Sequence, residues 1–256
     1  MFKRIAFFIF GSLSYLIFLA TFLYAIGFIG GFGVPTTLDG APSGPLGIAL
    51  AIDVGLLGLF ALQHSIMARR GFKAWLTRIV PEAAERSTYV LASSAALILL
   101  FAFWRPVGGL VWDIGSPLGR GLIYGFFAFG WLLVLVSTLL IDHFDLFGLR
   151  QVWLYLRGRE YSNVRFRTPG IYKIVRHPLY LGWLFAFWAT PTMTATHLLF
   201  AGVTTAYILV AIRLEERDLV TAFGASYAEY RRQVPMLVPH LFRRGSSSGV
   251  GATEHA

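Results

Sequence analysis

GLIYGFFAFGWLLVLVSTLLI, residues 121–141, runs through twenty-one positions without a charged side chain. A hydrocarbon layer of about 30 Å needs a helix of roughly 20 apolar residues, so this stretch reads as a membrane-spanning helix and sets the fold. The same pattern recurs on both sides of it. Ile5–Ile29 carries no charge and is too long for the h-region of a signal peptide, so it reads as a retained helix. Leu46–Met67 is interrupted only by Asp53 and His64, and Tyr89–Trp104 makes a shorter span with Arg86 and Trp112 as interfacial flanks. After a polar stretch come Pro178–Met193 and His197–Ile212, joined by the uncharged turn Thr194–Thr196. These two arms read as a helical hairpin whose first arm barely spans the layer.

Composition agrees. Of 256 residues 56% are apolar and 14% charged, and the mean hydropathy is +0.65. A soluble domain carries about a quarter of its residues as charges, which argues against a cytosolic enzyme on a peripheral anchor. The lack of cysteine excludes a disulfide framework, a thiolate nucleophile, a zinc-thiolate and an iron-sulfur site, and no metal site is expected. A net charge of +9 suits nucleic acid less well than membrane topology, and its distribution decides between them. Twenty of the 22 Lys and Arg residues fall at the N-terminus, after the second span, after the fourth span or in the tail; only Arg105 and Arg120 fall on the other side. Both termini are therefore expected to be cytoplasmic.

The fold class expected is an all-α integral membrane protein of about five to six transmembrane helices. It includes the C-terminal hairpin and a cytoplasmic amphipathic helix after it. A single domain over 1–241 divides into a four-helix region at 5–141 and a hairpin-plus-helix region at 168–241. The tail at 242–256 is Gly/Ser-rich and reads as disordered. No solenoid repeat or inverted transporter repeat is evident.

Ionisable groups in or at the ends of spans are costly in lipid and mark where function is sought first. Asp53 reads as a polar contact between helices. His64, in Gln63-His64-Ser65, falls near the cytoplasmic end of its span, and Asp142 and His143 end the fourth span at the same level. Three such residues at one depth favour a polar cavity. The hairpin opens on Tyr172, Arg176, His177, Pro178, Tyr180 and Gly182 and closes on Arg213, Glu215 and Glu216; beyond it Gly224, Tyr227, Tyr230, Arg231 and Arg232 continue an amphipathic helix able to fold back beneath the mouth. Arg pairs with carboxylates, acidic groups with ribose hydroxyls, aromatic faces with a sulfonium and helix-start amides with polar ligand atoms. That inventory suits S-adenosylmethionine. Dinucleotide, P-loop, zinc-protease and serine-hydrolase motifs do not occur, so a Rossmann methyltransferase is not expected.

The run from Arg176 to Gly182, followed at hairpin spacing by Glu215-Glu216, Phe223-Gly224, Tyr227, Tyr230-Arg231 and Val234-Pro235, resembles the C-terminal signature of the isoprenylcysteine carboxyl methyltransferase superfamily. The resemblance covers about 70 residues. It implies a multi-helix membrane methyltransferase holding S-adenosylmethionine at the cytosolic face of the hairpin, with His177, Tyr180 and Gly182 on the cofactor motif and Glu216 on its acidic position. One departure is that Ala211 stands where that superfamily places a catalytic Arg, and the nearest Arg is Arg213.

Phe60–Arg69, Glu85–Tyr89 and Asp142–Arg150 resemble the bacterial methanethiol S-methyltransferases, relatives of the NnrU-like membrane proteins. This resemblance runs over nearly the whole chain. It implies methylation of methanethiol to dimethyl sulfide, with S-adenosylhomocysteine as coproduct, in a bacterial inner membrane. His64 or His143 then takes the thiol proton, with Asp142 orienting an imidazole or acting as the base itself; Tyr24 and Gln63 line a small acceptor pocket. The volatile thiol and the bilayer are the expected partners, without nucleic acid or an obligatory protein. Two other readings stay open: a methyltransferase for a prenyl-cysteine carboxylate or lipid amine, and a non-enzymatic haem or transport protein.

Overall fold

The computed structural model of the chain describes residues 1–162 and 166–239. The expected domain end at 241 and the tail at 242–256 lie outside the described residues.

The chain opens with α1 (Phe2–Gly30), which ends on Gly31 at φ 74°, a left-handed cap that glycine takes at no steric cost. α2 (Leu46–Ala68) returns and gives way to the short α3 (Arg70–Leu76). α4 (Glu82–Phe103) starts with Glu82 and Glu85 in its first turn, where carboxylates favour the helix N-terminus. Then come strand β1 (Leu110–Asp113) and α5 (Pro117–Ile141), with Ser116 accepting the Gly119 N–H as N-cap and Pro117 in the first turn. The short α6 (His143–Leu146) and α7 (Leu149–Leu156) follow, then α8 (Pro178–Trp188), β2 (Thr192–Thr194), α9 (Ala195–Phe223) and α10 (Ala225–Gln233).

Helices α1, α2, α4, α5 and α9 are long and apolar enough to cross a membrane, so the protein is a multi-pass membrane protein. They alternate between two faces. One, the N-terminal face, gathers the start of α1, the α2–α4 connection, the segment from α6 to α8, and the end of α9 with α10. The other, the sheet face, gathers the α1–α2 loop and the β1–β2 pair, with Ser43 bonded to Pro106, Trp104 to the Leu38 carbonyl and Val107 to the Thr196 hydroxyl.

The hairpin differs from expectation. Its first arm is not one helix over Pro178–Met193: α8 stops at Trp188, and eleven residues rise only about 16 Å, half the hydrocarbon thickness. Thr190 precedes Pro191, a position that disfavours helical backbone, and Thr192–Thr194 pairs antiparallel with β1. A 3-10 turn over Gly170–Lys173 and irregular backbone to His177 lead into α8 beside the last turns of α5, where the Tyr172 hydroxyl reaches the Ser137 carbonyl (3.4 Å) and Gly170 lies against Leu140. The second arm, by contrast, runs unbroken through Ile212 to Phe223, so Arg213–Asp218 lies on the helix.

Helix association in lipid relies on close packing more than on solvent exclusion, and small residues permit it. Gly130 of α5 and Gly182 of α8 touch backbone to backbone: a Cβ on Gly182 would stand 2.8 Å from both the Gly130 carbonyl oxygen and the Val134 nitrogen. Gly11 admits the fully buried Val152, which seats the amphipathic α7 against α1. Phe22, Trp131 and Trp183 meet edge to face between α1, α5 and α8. This packing fixes where α8 begins, and with it the mouth of the hairpin.

Candidate active site

Pro178 starts α8 with no N–H to satisfy, and no side chain caps the helix, so the remaining amides of its first turn have no intrahelical partner. Immediately before it, the Arg176 Nε donates to Glu216 Oε1 at 2.8 Å, and His177 Nε2 lies 3.0 Å from the same oxygen. Arg176 and Glu216 are only 11% and 13% exposed, so the pair is shielded from solvent where hydrogen-bonded charges hold geometry well. Arg176 Nη1 also donates to the carbonyls of Arg231 (2.9 Å) and Val234 (2.5 Å), and the main-chain N–H groups of Arg176 and His177 donate to Pro235 and Met236. The Tyr230 hydroxyl donates to the Tyr172 carbonyl at 2.6 Å. Helix α10 thus folds back beneath the mouth, and residues 234–236 are strapped along 176–177.

Inside this floor Tyr227 is 1% exposed, and its buried hydroxyl has no hydrogen-bond partner among the described residues. Arg231 Nη1 stands 4.0 Å from Glu216 Oε2. Burial raises the Tyr172 and Tyr227 phenols well above their ordinary range and Tyr230 to about 12, so all three stay protonated donors at neutral pH. Adjacent helix residues differ by about 100° in direction, so Glu215 points away from the Glu216 cluster.

Tyr180, in the first turn of α8, has its ring 5.7 Å from that of His177, and Tyr207 of α9 reaches α2, where a second polar group stands. There His64 Nε2 lies 2.8 Å and Nδ1 3.0 Å from the Tyr89 hydroxyl, and Nδ1 lies 3.2 Å from the Ser93 hydroxyl. Phe60 stacks on the imidazole at 5.1 Å. Gln63 donates to Ser93 (3.3 Å), while its Oε1 is buried and unpartnered. Ser65 and Tyr207 meet at 3.2 Å, joining α2 to α9, and Arg69 pairs with Asp218 (3.0 Å) across the same two helices.

The other sequence candidates are placed elsewhere. His143 hydrogen-bonds Tyr15 at 2.8 Å and Thr138 at 2.9 Å, edge-on to the Tyr15 ring, and burial holds its imidazole below the ordinary value. Asp142, at φ 96° the one described non-glycine residue in the left-handed region, accepts from the Asp145 N–H as the cap of α6. No described hydrogen bond or ion pair joins either residue to His64. Tyr24 bonds Thr36 (2.6 Å) in the α1–α2 loop on the sheet face, far along α1 from the mouth. Arg213 is exposed, and Gly182 is occupied by its contact with α5.

Sequence reasoning missed Tyr89, Ser93, Tyr207 and Ser65 as site residues. An aromatic or hydroxyl residue in a span reads as packing, and only its cross-helix partner distinguishes it.

Sequence comparison places this site among known relatives. The chain is 56% identical to a methanethiol S-methyltransferase of Crocosphaera subtropica over 92% of each chain. It is 53% identical to one of Mycobacterium tuberculosis, over 93% of this chain and 97% of the relative. It is also 32% identical to nurim of Xenopus laevis over 79% of this chain and 70% of that protein. No family model and no solved structure matches.

Proposed function

The chain belongs to the methanethiol S-methyltransferase family, and from that premise we propose that it methylates methanethiol with S-adenosylmethionine, forming dimethyl sulfide and S-adenosylhomocysteine. The observation that carries this reading is the placing of two polar groups, Arg176–His177–Glu216 and His64–Tyr89–Ser93, on either side of α9, which the Ser65–Tyr207 and Arg69–Asp218 contacts join to α2.

The residues present suit the cofactor. The orphaned Tyr227 hydroxyl, the uncapped start of α8 and the Glu215 carboxylate offer a donor, amides and an acceptor within one mouth. Glu216 already accepts from Arg176 and lies 3.0 Å from His177 Nε2, so its work is to hold the floor together, and Glu215 is left to accept from ribose hydroxyls. Tyr180 and Tyr207 offer faces and edges to a sulfonium. When bound, S-adenosylmethionine supplies a methyl carbon on a positively charged sulfur.

What the chain must add is orientation, desolvation and a thiolate. The side of α2 that carries His64, where Gln63 Oε1 has no partner among the described residues, is the place for a small thiol on this reading. His64, the ionisable side chain of this group, takes the thiol proton. Tyr180 and the start of α8 set the line along which the thiolate sulfur meets the methyl carbon. His143 and Asp142, by their contacts, hold α6 against α1 and α5. The concentration of Lys and Arg on the N-terminal face supports a cytoplasmic orientation of that face in a bacterial inner membrane.

The test is headspace gas chromatography of detergent-purified protein given S-adenosylmethionine and methanethiol. Dimethyl sulfide is expected from the wild type. Glu216→Gln is expected to lose cofactor binding, and His64→Gln to bind cofactor but turn over slowly. A preparation that binds S-adenosylmethionine yet forms no dimethyl sulfide would overturn the acceptor.

A further inference from the structure

We propose that the start of α1 and the end of α7 form a binding site for the phosphate of an anionic phospholipid, apart from the hairpin mouth. Packing brings the two ends together. Helix α7 runs antiparallel to α1: Val152 lies against Gly11, Trp153 meets Phe8 (5.8 Å between ring centroids), Tyr155 meets Phe7 (6.1 Å), and Gly158 lies against Arg4. The charge-free run of α1 begins at Ile5, so α7 ends where the chain enters hydrocarbon. Lys3 and Arg4 thereby come beside Arg157 and Arg159 from a distant part of the chain.

Gly158, at φ 67°, closes α7 in a left-handed cap, with its N–H donating to the Tyr155 carbonyl and that of Arg159 to the Leu154 carbonyl. The backbone thus satisfies this helix end and leaves the guanidinium groups unspent. A Cβ on Gly158 would stand 2.7 Å from Arg4 Nη1, so glycine also makes the room that Arg4 occupies. Arg4 lies over the Tyr155 ring at 5.9 Å and Arg157 over the Trp153 ring at 5.5 Å. A cation on a ring face uses none of its N–H donors. Among the described residues no carboxylate pairs with Lys3, Arg4, Arg157 or Arg159, and Glu160, their acidic neighbour in sequence, pairs with none of them. Two anchored guanidinium groups with free donors match the oxygens of a phosphate. The carrier of that phosphate is a lipid, because apolar surface adjoins the cluster: Ile5, Ile9 and Leu13 are exposed along α1 and Trp153 on α7, an aromatic at the membrane interface. A soluble anion would use none of that surface.

For the test, the full-length protein is reconstituted in nanodiscs of phosphatidylcholine alone and of equimolar phosphatidylcholine and phosphatidylglycerol. Lipids retained on release are identified by native mass spectrometry. The wild type is expected to retain phosphatidylglycerol in preference to phosphatidylcholine. A basic residue at an anionic surface is worth about 5-fold, so Arg4→Ala/Arg157→Ala is expected to lose about 30-fold of that preference. Arg70→Ala/Arg78→Ala removes the same charge from the same face at exposed positions outside the cluster and should keep the preference. Equal loss in both variants would assign the preference to the charge of the whole face and overturn the site, as would a wild type without preference. Inorganic phosphate that displaced phosphatidylglycerol from the wild type would make this a free-anion site and overturn the lipid. A second measurement needs no substitution and so does not depend on a variant folding. Phosphatidylglycerol is expected to slow hydrogen exchange in the wild type over residues 153–159 and to leave residues 70–79 unchanged. Equal protection of both segments, or protection of neither, would overturn the proposal.

Discussion

Asp39 and His197, 158 positions apart in the chain, meet at 2.9 Å between a carboxylate oxygen and Nδ1. The other ring nitrogen lies 2.8 Å from the Phe187 carbonyl, which only accepts, so Nε2 carries a proton and a second proton lies between Nδ1 and Asp39. His197 is 1% exposed, and the Thr194 hydroxyl also donates to Asp39. One carboxylate thereby ties the α1–α2 loop to the start of α9 and the end of α8. Asp39→Asn keeps the shape and removes the charge; it is expected to cost roughly 1–3 kcal/mol, read as a lower unfolding midpoint in detergent. An unchanged midpoint would show that the clasp carries no stability.

Gly182 and Gly130 predict a steric effect with its own control. Gly182→Ala places a methyl 2.8 Å from backbone atoms of α5 that cannot rotate away, and overpacking of this kind costs about 1–3 kcal/mol. Because α8 is displaced from α5, turnover should fall too. Gly202→Ala on α9, where a Cβ meets nothing within 4 Å, should leave stability equal or higher. Equal behaviour of the two variants would refute the close-packing account.

Arg176 makes three contacts in three directions, to Glu216, Arg231 and Val234. A lysine keeps the charge and cannot span all three. Arg176→Lys is therefore expected to weaken cofactor binding about 10-fold, one hydrogen bond's worth, and to speed hydrogen exchange across residues 225–237. Wild-type exchange in that segment would detach Arg176 from the strap.

His143 sets a pH dependence of stability. Burial holds its imidazole below the ordinary 6.5, so the folded protein binds a proton there less readily than the unfolded chain. The contribution is fully present above about pH 6.5 and is lost as the pH falls toward and through the folded value. The unfolding midpoint should decline between pH 7 and pH 5, and His143→Gln should flatten that decline. An equally steep decline in the variant would assign it to other groups.

Depth in the membrane was legible in the sequence, and azimuth was not. Long apolar runs located all five long helices, and the basic residues are concentrated at the helix ends on the N-terminal face. The same one-dimensional reading put His64 and His143 at one level, yet nothing in residue order says that one turns toward Tyr89 and the other toward Tyr15. The hairpin's first arm failed for a different reason: Ala189–Met193 is uncharged, and a short run of this kind does not distinguish helix from strand, although Pro191 marked the break. The Arg176–Gly182 and Glu215–Arg231 segments were legible because their charges have no purpose in lipid; the strap escaped notice because its bonds are made largely by main-chain atoms.

The two polar groups come from separate parts of the chain, α2 and α4 for one, the segment from Tyr172 to Tyr230 for the other, and are joined through Ser65–Tyr207 and Arg69–Asp218. On the proposed assignment acceptor choice and donor chemistry are separately heritable: a block exchange of residues 46–103 between relatives is expected to change what is methylated while the machinery that brings the methyl group is transmitted intact.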